Sequence, residues 1–278
     1  MTVSQDLIDA ASQALGVSVI EPMKQGGQKT VLRVERDGNV HVMKVISIGS
    51  SVPDALRRAQ REVELLQSVD HPNVVQVASD LVELGDPVEG AGWLEHLLDG
   101  NDLSDLLGER WDWPEVKQMA IDVANGLGAL HAIKVVHRDL SDNNVRRLNS
   151  GMFVVMDPGF ARHTQASDLT VGGQPGTPGF LSPEHLQAFS GSPTPASDVF
   201  CVGILMHRAL TGELPIPYTG DLGDYIGRLL KVETADLGTA RPDMDQAVID
   251  LIKRCMHPQP ARRFRNGSDL VEALQGVQ

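Results

Sequence analysis

Hydrophobic residues recur at helical spacing between residues 2 and 15, where they would form one face of a helix. These residues are Leu7, Ile8, Ala11 and Leu15. Thr2 and Gln5 match a capping box at the start of the segment. The pattern predicts an amphipathic helix here.

The pattern changes to that of β-strands after residue 16. Three segments rich in β-branched residues follow, namely VSVIEPM (17–23), TVLRVER (30–36) and NVHVMKVI (39–46). The first two are joined by the flexible turn KQGGQK, and the last two by a turn whose Asp-Gly step favours a hairpin. A second helix is predicted over residues 54–68, where apolar residues again recur three and four apart.

The strand signal fades from about residue 100. Asp112 and Glu115 could cap a long helix with a continuous apolar stripe, and VFCVGILM (199–206) fits a buried helix. Two short β-like runs stand at 145–148 and 152–156. The chain is therefore predicted to be an α+β protein, with a small β-rich lobe followed by a larger helical lobe.

Composition narrows the classes of partner. The chain has 278 residues, 41% of them apolar, which is enough for one large domain. Its formal net charge of −13 argues against nucleic acid, because such binding depends on neutralising phosphates with Lys and Arg. Two cysteines give no disulfide framework, and no apolar run reaches the ~20 residues of a membrane span. We therefore expect a cytoplasmic protein without a membrane or nucleic-acid partner.

The segment HRDLSDNN, residues 137–144, has the highest concentration of side chains that could take part in catalysis. Elsewhere, single features are weak: Lys44 in a strand and Glu62 on a helix are each usually solvated, and Asp157-Pro158-Gly159 is ordinarily a turn. Glu62 nevertheless lies beside the apolar face of its helix. An inward-facing Glu needs a cation, and Lys44 is the obvious candidate.

The order of these features is more specific than any one of them. A Gly-rich turn, a strand Lys, a helix Glu, HRD with Asn five residues after the Asp, and Asp-x-Gly follow one another along the chain. In this order they resemble the protein kinase superfamily, in particular bacterial-type serine/threonine protein kinases. Further segments agree with this resemblance: HPNVV (71–75), WLEHLLDG (93–100), GTPGFLSPE (176–184), SDVFCVG (197–203) and PARRF (260–264).

The resemblance implies a bilobal protein kinase fold in a single domain, residues 1–278. Residues 1–97 would form the β-rich N-lobe with its regulatory helix and the N-terminal helix, and residues 98–278 the mostly helical C-lobe. It also implies ATP and Mg²⁺ as cofactors and a protein substrate with a Ser or Thr acceptor. Self-association for autophosphorylation, most simply at Thr170 with Arg138 receiving the phosphate, is a further expectation.

Roles follow from the resemblance residue by residue. Lys44, held by Glu62, would contact the phosphates of ATP; Asp139 would be the catalytic base; Asn144 and Asp157 would hold Mg²⁺. Carboxylate and amide oxygens suit this hard cation. The residues expected to bind the nucleotide are Gly26, Gly27, Lys29, Val31, Val42, Lys44, Glu95 and Leu97. His137 is expected to be structural.

Three positions depart from the family pattern. Lys29 replaces the third glycine of the Gly-rich loop, and we expect it to supply a cation to the phosphates. Ser141 stands where serine/threonine kinases usually carry Lys, and its hydroxyl could reach Thr177. Pro158 replaces a Phe and should push Asp157 toward extended backbone.

These departures leave two alternatives to an active protein kinase. One is a pseudokinase, acting as a nucleotide-binding or docking module. The other is a small-molecule phosphotransferase of the aminoglycoside kinase type, which shares the catalytic loop but lacks elements like GTPGFLSPE and SDVF.

Overall fold

The computed structural model describes residues 3–23, 29–48, 55–158, 177–186 and 193–278. The chain forms two compact units. The first unit comprises Met1–Asp70 and Val75–Asp99, and the second comprises His71–Val74 and Gly100–Gln278. The predicted positions Gly26, Gly27 and Thr170 lie outside the described residues.

The first unit is built on a five-stranded antiparallel sheet in the order β1-β2-β3-β5-β4. Its strands are β1 (Ser18–Pro22), β2 (Lys29–Arg36), β3 (Asn39–Ser47), β4 (Val82–Leu84) and β5 (Gly90–His96). The hairpin of β2 and β3 turns at Asp37 and Gly38, whose φ angles of 52° and 79° match the left-handed turn that Asp-Gly favours.

Two helices cover opposite faces of this sheet. Helix α1 (Gln5–Leu15) buries Leu7, Ala11 and Leu15 against the face that carries Met43 and Leu94. Close approach is possible because β5 has glycine at 90 and 92: a Cβ at Gly92 would lie 3.2 Å from the Ala11 Cβ. On the other face, α2 (Ala55–Gln67) packs Ala59 and Val63 against Trp93.

The second unit is mostly helical. Its α-helices are α3 (Leu103–Leu106), α4 (Trp113–Ala132), α5 (Pro195–Thr211), α6 (Leu222–Lys231), α7 (Leu237–Ala240), α8 (Gln246–Cys255) and α9 (Gly267–Gln275). Helix α4 buries half of its residues and α5 nearly all of them, and the two helices form the centre of the core. Gly267 lets α9 meet α4 closely, since a Cβ there would lie 2.2 Å from the Ala124 carbonyl oxygen.

A small antiparallel sheet of β6 (Gly100–Asp102), β7 (Val145–Leu148) and β8 (Phe153–Val155) completes this unit. A 3₁₀ turn at Asp142–Asn144 leads directly into β7, so the HRDLSDNN segment ends at the start of a strand. Asp157 follows two residues after β8. Within this unit the sheet therefore brings the two segments toward one another.

Most predicted elements are confirmed, with differences at their ends. Helix α1 begins at Gln5 and is capped by the Ser4 hydroxyl, which accepts from the Leu7 amide, so the predicted cap at Thr2 is wrong. Asp112 is the N-cap residue of α4, but its side chain makes no capping hydrogen bond. Strands β4, β5 and β6 were not predicted as strands. No helix within the described residues is long and apolar enough to cross a membrane.

Candidate active-site residues in the two units

The nucleotide-binding residues predicted in the first unit share one face of the sheet. Strand register places Val31 opposite Lys44, Lys44 opposite Trp93, and Val42 opposite Glu95. Because side chains alternate along a strand, all five point to the same side. Val31 and Val42 are half-buried there, whereas Lys44, Trp93 and Glu95 are buried.

This face carries four charges where the sequence indicated two. Lys29 Nζ lies 2.5 Å from Glu62 Oε1, and Lys44 Nζ lies 2.8 Å from Glu95 Oε1. The sequence predicted Lys44 as the partner of Glu62. The structure adds Lys29 as a partner of Glu62 and Glu95 as a partner of Lys44, and the pairing of Lys44 with Glu62 itself stays a prediction.

Glu95 differs from its expected setting in another respect. It belongs to a segment that was not predicted as a strand, but it lies within β5 with a side chain only 5% exposed. Leu97 does lie beyond the end of β5 and is half-buried. A role for Glu95 in nucleotide binding would therefore involve its backbone or act through Lys44.

In the second unit, Asp139 lies within the HRDLSDNN segment and is buried. Its Oδ1 accepts a hydrogen bond of 2.9 Å from the Thr177 hydroxyl. Asn144 donates its side-chain amide to the Asp139 carbonyl at 2.7 Å, with a longer contact of 3.3 Å to Asp139 Oδ2. Two side chains, those of Thr177 and Asn144, thus contact the Asp139 carboxylate.

The backbone of this segment is anchored by Asp198 of α5. Its carboxylate accepts from the amides of His137 (2.8 Å) and Arg138 (3.0 Å), and from the His131 ring at 2.9 Å. Burial alone would raise the pKa of Asp198, but the His131 hydrogen bond and the nearby histidines outweigh burial and hold that pKa below its usual range. The result is a buried carboxylate that fixes two consecutive amides.

Two histidines complete the anchoring. His137 is fully buried, and its Nε2 contacts the Met156 carbonyl at 2.9 Å, in agreement with the structural role expected from the sequence. His185 accepts from the Ser182 amide at Nδ1 (3.1 Å), which leaves Nε2–H to donate to the Arg138 carbonyl at 2.9 Å. Burial lowers the pKa of His185, so the ring is neutral at neutral pH.

The backbone of Asp157 does not follow the expectation drawn from Pro158. Instead of extended backbone, Asp157 has a φ of 49°, in the left-handed region that non-glycine residues seldom adopt. Arg138 is similar, with a φ of 68°. Such conformations cost of order 1–3 kcal/mol and persist only where the surroundings enforce them, which here include the Asp198 and His185 hydrogen bonds at Arg138.

Asn144 and Asp157 fit the predicted Mg²⁺ site by donor chemistry and by local connection. The Met156 amide, directly before Asp157, donates to the Asn144 carbonyl at 2.9 Å and so ties the two residues together. Because the Asn144 amide nitrogen faces Asp139, its side-chain oxygen is the atom that can serve a cation. An amide oxygen and a carboxylate are ligands that Mg²⁺ accepts.

Ser141 is fully buried, and its hydroxyl has no hydrogen-bond partner within the described residues. Its predicted contact with Thr177 is wrong, since the Thr177 hydroxyl is engaged by Asp139. By contrast, Arg263 of the segment PARRF, which in the kinase resemblance pairs with the Glu of GTPGFLSPE, does form an ion pair of 2.8 Å with Glu184, and both side chains are buried.

Comparison with known proteins decides the family. The sequence profile described as "Protein kinase domain" matches residues 18–274, nearly the whole chain. The chain belongs to the protein kinase family. This confirms the resemblance found in the sequence and the fold predicted from it, a kinase domain with a β-rich first unit and a mostly helical second unit.

Relatives of this kinase domain are bacterial proteins. It is 30% identical over 267 residues to a Corynebacterium efficiens protein named "Serine/threonine-protein kinases drp72", with 91% of this chain and 49% of the relative covered. Identity is 28% to "Serine/threonine-protein kinases PknA" of Corynebacterium glutamicum, covering 91% and 54%. Identity is 27% to "Serine/threonine-protein kinase pkn2" of Myxococcus xanthus, with 92% of this chain and 32% of the relative covered. The chain thus spans about half, or less, of the length of these relatives.

Sequence reasoning missed two groups of residues in this kinase domain. Asp198 and His185 were visible only as parts of family-like segments, with nothing local to show that they bind the HRD backbone. The buried position of Glu95 had one available signal: a charged residue inside the run GAGWLEH, which is otherwise apolar apart from the terminal His.

Proposed function

We propose that this chain, acting as a single catalytic domain, transfers the γ-phosphoryl group of Mg-ATP to a Ser or Thr hydroxyl of a protein, with Asp139 as catalytic base. The observation that carries the proposal is the 2.9 Å hydrogen bond from the Thr177 hydroxyl to Asp139 Oδ1. A buried carboxylate that already accepts a threonine hydroxyl is equipped to accept one from a substrate.

Residues of the first unit serve the nucleotide in this proposal. Lys29 and Lys44 supply positive charge to the phosphates, while Val31, Val42 and Leu97 offer apolar contact to the base. Such an arrangement catalyses by positioning and by charge neutralisation, which suits phosphoryl transfer because little covalent chemistry is required of the protein.

Residues of the second unit serve the metal and the acceptor. Asn144 and Asp157 would hold Mg²⁺, which when bound neutralises charge on the phosphate oxygens. Asp139 orients the acceptor hydroxyl and receives its proton. The hydrogen bond from Asn144 to Asp139, together with those that the two preceding amides donate to Asp198, holds that carboxylate in place before substrate arrives.

The second candidate is a pseudokinase that binds nucleotide without transferring phosphate. The buried ion pair of Lys44 with Glu95 favours it, because a carboxylate beside Lys44 competes with the phosphates for that cation. Small-molecule phosphotransfer is less well supported, given the relatives named as serine/threonine-protein kinases.

The test is phosphoryl transfer from γ-labelled ATP with Mg²⁺, read by intact mass and by label on a Ser/Thr-rich protein acceptor. The parent should incorporate phosphate, and Asp139→Asn should lower kcat by about 10²–10⁴. The matched control is Asp236→Asn, an exposed acid that pairs with Lys253 and should transfer like the parent. A parent that binds Mg-ATP but transfers nothing would establish the pseudokinase instead.

A further inference from the structure

The charged cluster on the first unit's sheet face contains a second buried acid close to Glu62. The carboxylates of Glu62 and Glu95 lie within 4.8 Å of one another, and both side chains are at least 95% buried. Two like charges at this separation in a poorly solvated setting repel strongly, so each needs a cation. Besides Lys44 and Glu62, this face therefore carries a further buried acid, Glu95, and a further lysine, Lys29.

The second lysine is Lys29. It replaces the third glycine of the Gly-rich loop, begins β2, and places its ammonium 2.5 Å from Glu62 Oε1. Its side chain is 15% exposed, compared with 6% for Lys44, so Lys29 is the less enclosed of the two cations. An added buried acid, Glu95, and an added lysine thus occur on the same face.

Trp93 connects the two ion pairs. Its ring is fully buried, with the Lys29 ammonium 5.4 Å from the ring centroid. Its indole N–H donates to Glu95 Oε1 at 3.1 Å, the same oxygen that lies 2.8 Å from Lys44 Nζ. A rigid aromatic side chain therefore holds Glu95 by its edge and Lys29 over its face, and movement of either charge is felt by the other.

We propose that Lys29 and Glu95 are a charge-compensated addition to the Lys44–Glu62 pair. Glu95 is a positioning residue that holds Lys44, Lys29 makes an ion pair with Glu62, and the two lysines together present positive charge to the nucleotide phosphates. Either residue alone changes the net charge of the buried cluster by one unit, whereas the two together leave that net charge unchanged. The functional part of this inference rests on the proposed kinase activity.

The decisive experiment is a double-mutant cycle between Lys29 and Glu95. Lys29→Met removes one positive charge from beside these buried acids, so kcat/KM for ATP should fall about 10²–10³, the usual cost of losing one preorganised donor. Glu95→Gln alone should cost less than about tenfold, because phosphate supplies the missing negative charge. The double variant Lys29→Met/Glu95→Gln returns the cluster to its original net charge, and it should recover at least about tenfold over Lys29→Met.

Two controls separate charge balance from general damage. Lys29→Arg keeps the charge and should stay within about tenfold of the parent. Glu35 is an exposed acid of the same strand, and Lys29→Met/Glu35→Gln should be additive to within about twofold. If Glu95→Gln gives Lys29→Met no more relief than Glu35→Gln does, the inference is wrong.

A second readout does not depend on catalysis. In urea unfolding without nucleotide, Lys29→Met should lower the folding equilibrium constant at least about tenfold, and Glu95→Gln should restore it in that background. If the losses of unfolding free energy in Lys29→Met and Glu95→Gln simply add in the double variant, the proposed charge compensation is wrong, even if the parent is an active kinase. If the parent transfers no phosphate, the proposed function fails separately, and Mg-ATP affinity measured by calorimetry replaces kcat/KM in the same cycle, with the same recovery expected.

Discussion

The two units of this kinase domain hold their charged residues in different ways. In the first unit, side chains pair with side chains: Lys29 with Glu62 and Lys44 with Glu95. In the second, Asp198 binds backbone amides and His185 a backbone carbonyl of the HRD segment. A side-chain ion pair can be re-formed with another partner, but a backbone amide stays where the chain places it.

This difference determines whether the effect of a mutation in each unit can be compensated by a second mutation. The first unit has an acid, Glu95, and a lysine, Lys29, in addition to Lys44 and Glu62, and the charge of each can offset that of the other. The backbone-anchored part of the second unit offers no comparable exchange, because no substitution elsewhere supplies an acceptor for two adjacent amides. We therefore expect compensating pairs of mutations in the first unit and uncompensated losses in the second.

The largest effect is expected at Asp198. Asp198→Ala removes the acceptor for the His137 and Arg138 amides and leaves His131 facing a gap, so unfolding free energy should fall by about 3–5 kcal/mol. Urea unfolding measures this, with the exposed Asp236→Asn as control. If Asp198→Ala were as stable as that control, the backbone anchor would be unimportant and the contrast between the units would disappear.

A smaller effect is expected at Trp93. Trp93→Phe keeps an aromatic ring beneath Lys29 but removes the N–H that donates to Glu95, a hydrogen bond to a charged group worth about 1.5–3 kcal/mol. Trp111→Phe is the matched control, since this indole is also buried but packs against Phe153 and Arg147, so its loss should be smaller. Equal losses in urea unfolding would mean that Trp93 does not connect the ion pairs.

The smallest effect is expected at His185 and depends on pH. Burial lowers its folded-state pKa below the usual 6.5, so the unfolded chain binds its proton first as pH falls. Protonation would also turn Nδ1 into a donor facing the Ser182 amide. Stability should therefore decline below about pH 6.5, and His185→Gln should flatten that decline by at most about 1.4 kcal/mol per pH unit.

Unfolding curves of the parent and His185→Gln measured from pH 7 to 5.5 test this directly. His41→Gln provides the counterpart in the first unit, because burial, helped by Arg36 and His96, also lowers the pKa of His41. Parallel pH profiles for the parent and His185→Gln would show that the ring does not titrate differently on folding.

The sequence predicted most of what is local. The Asp-Gly hairpin, the helical spacing of apolar residues in α2 and the HRD segment can all be recognised from neighbouring residues. The structure agrees with the prediction in each case. The ion pairs on the first unit's sheet face could not be predicted. Lys29, Trp93 and Glu95 are far apart in the sequence and are brought together by the way that β2, β3 and β5 pair. Asp157 was mispredicted for a related reason: proline's local preference for an extended neighbour is overridden by the surrounding structure.

Helix α1 sets where this folding unit begins. The family profile starts at residue 18, yet α1 ends at Leu15 and covers the sheet face formed by residues such as Leu32, Val34, Met43 and Val45. A chain shortened to the family boundary would open that face to water as one apolar surface, the kind of patch that drives aggregation. Here the start of the family profile and the start of the packed structure are different positions in the sequence.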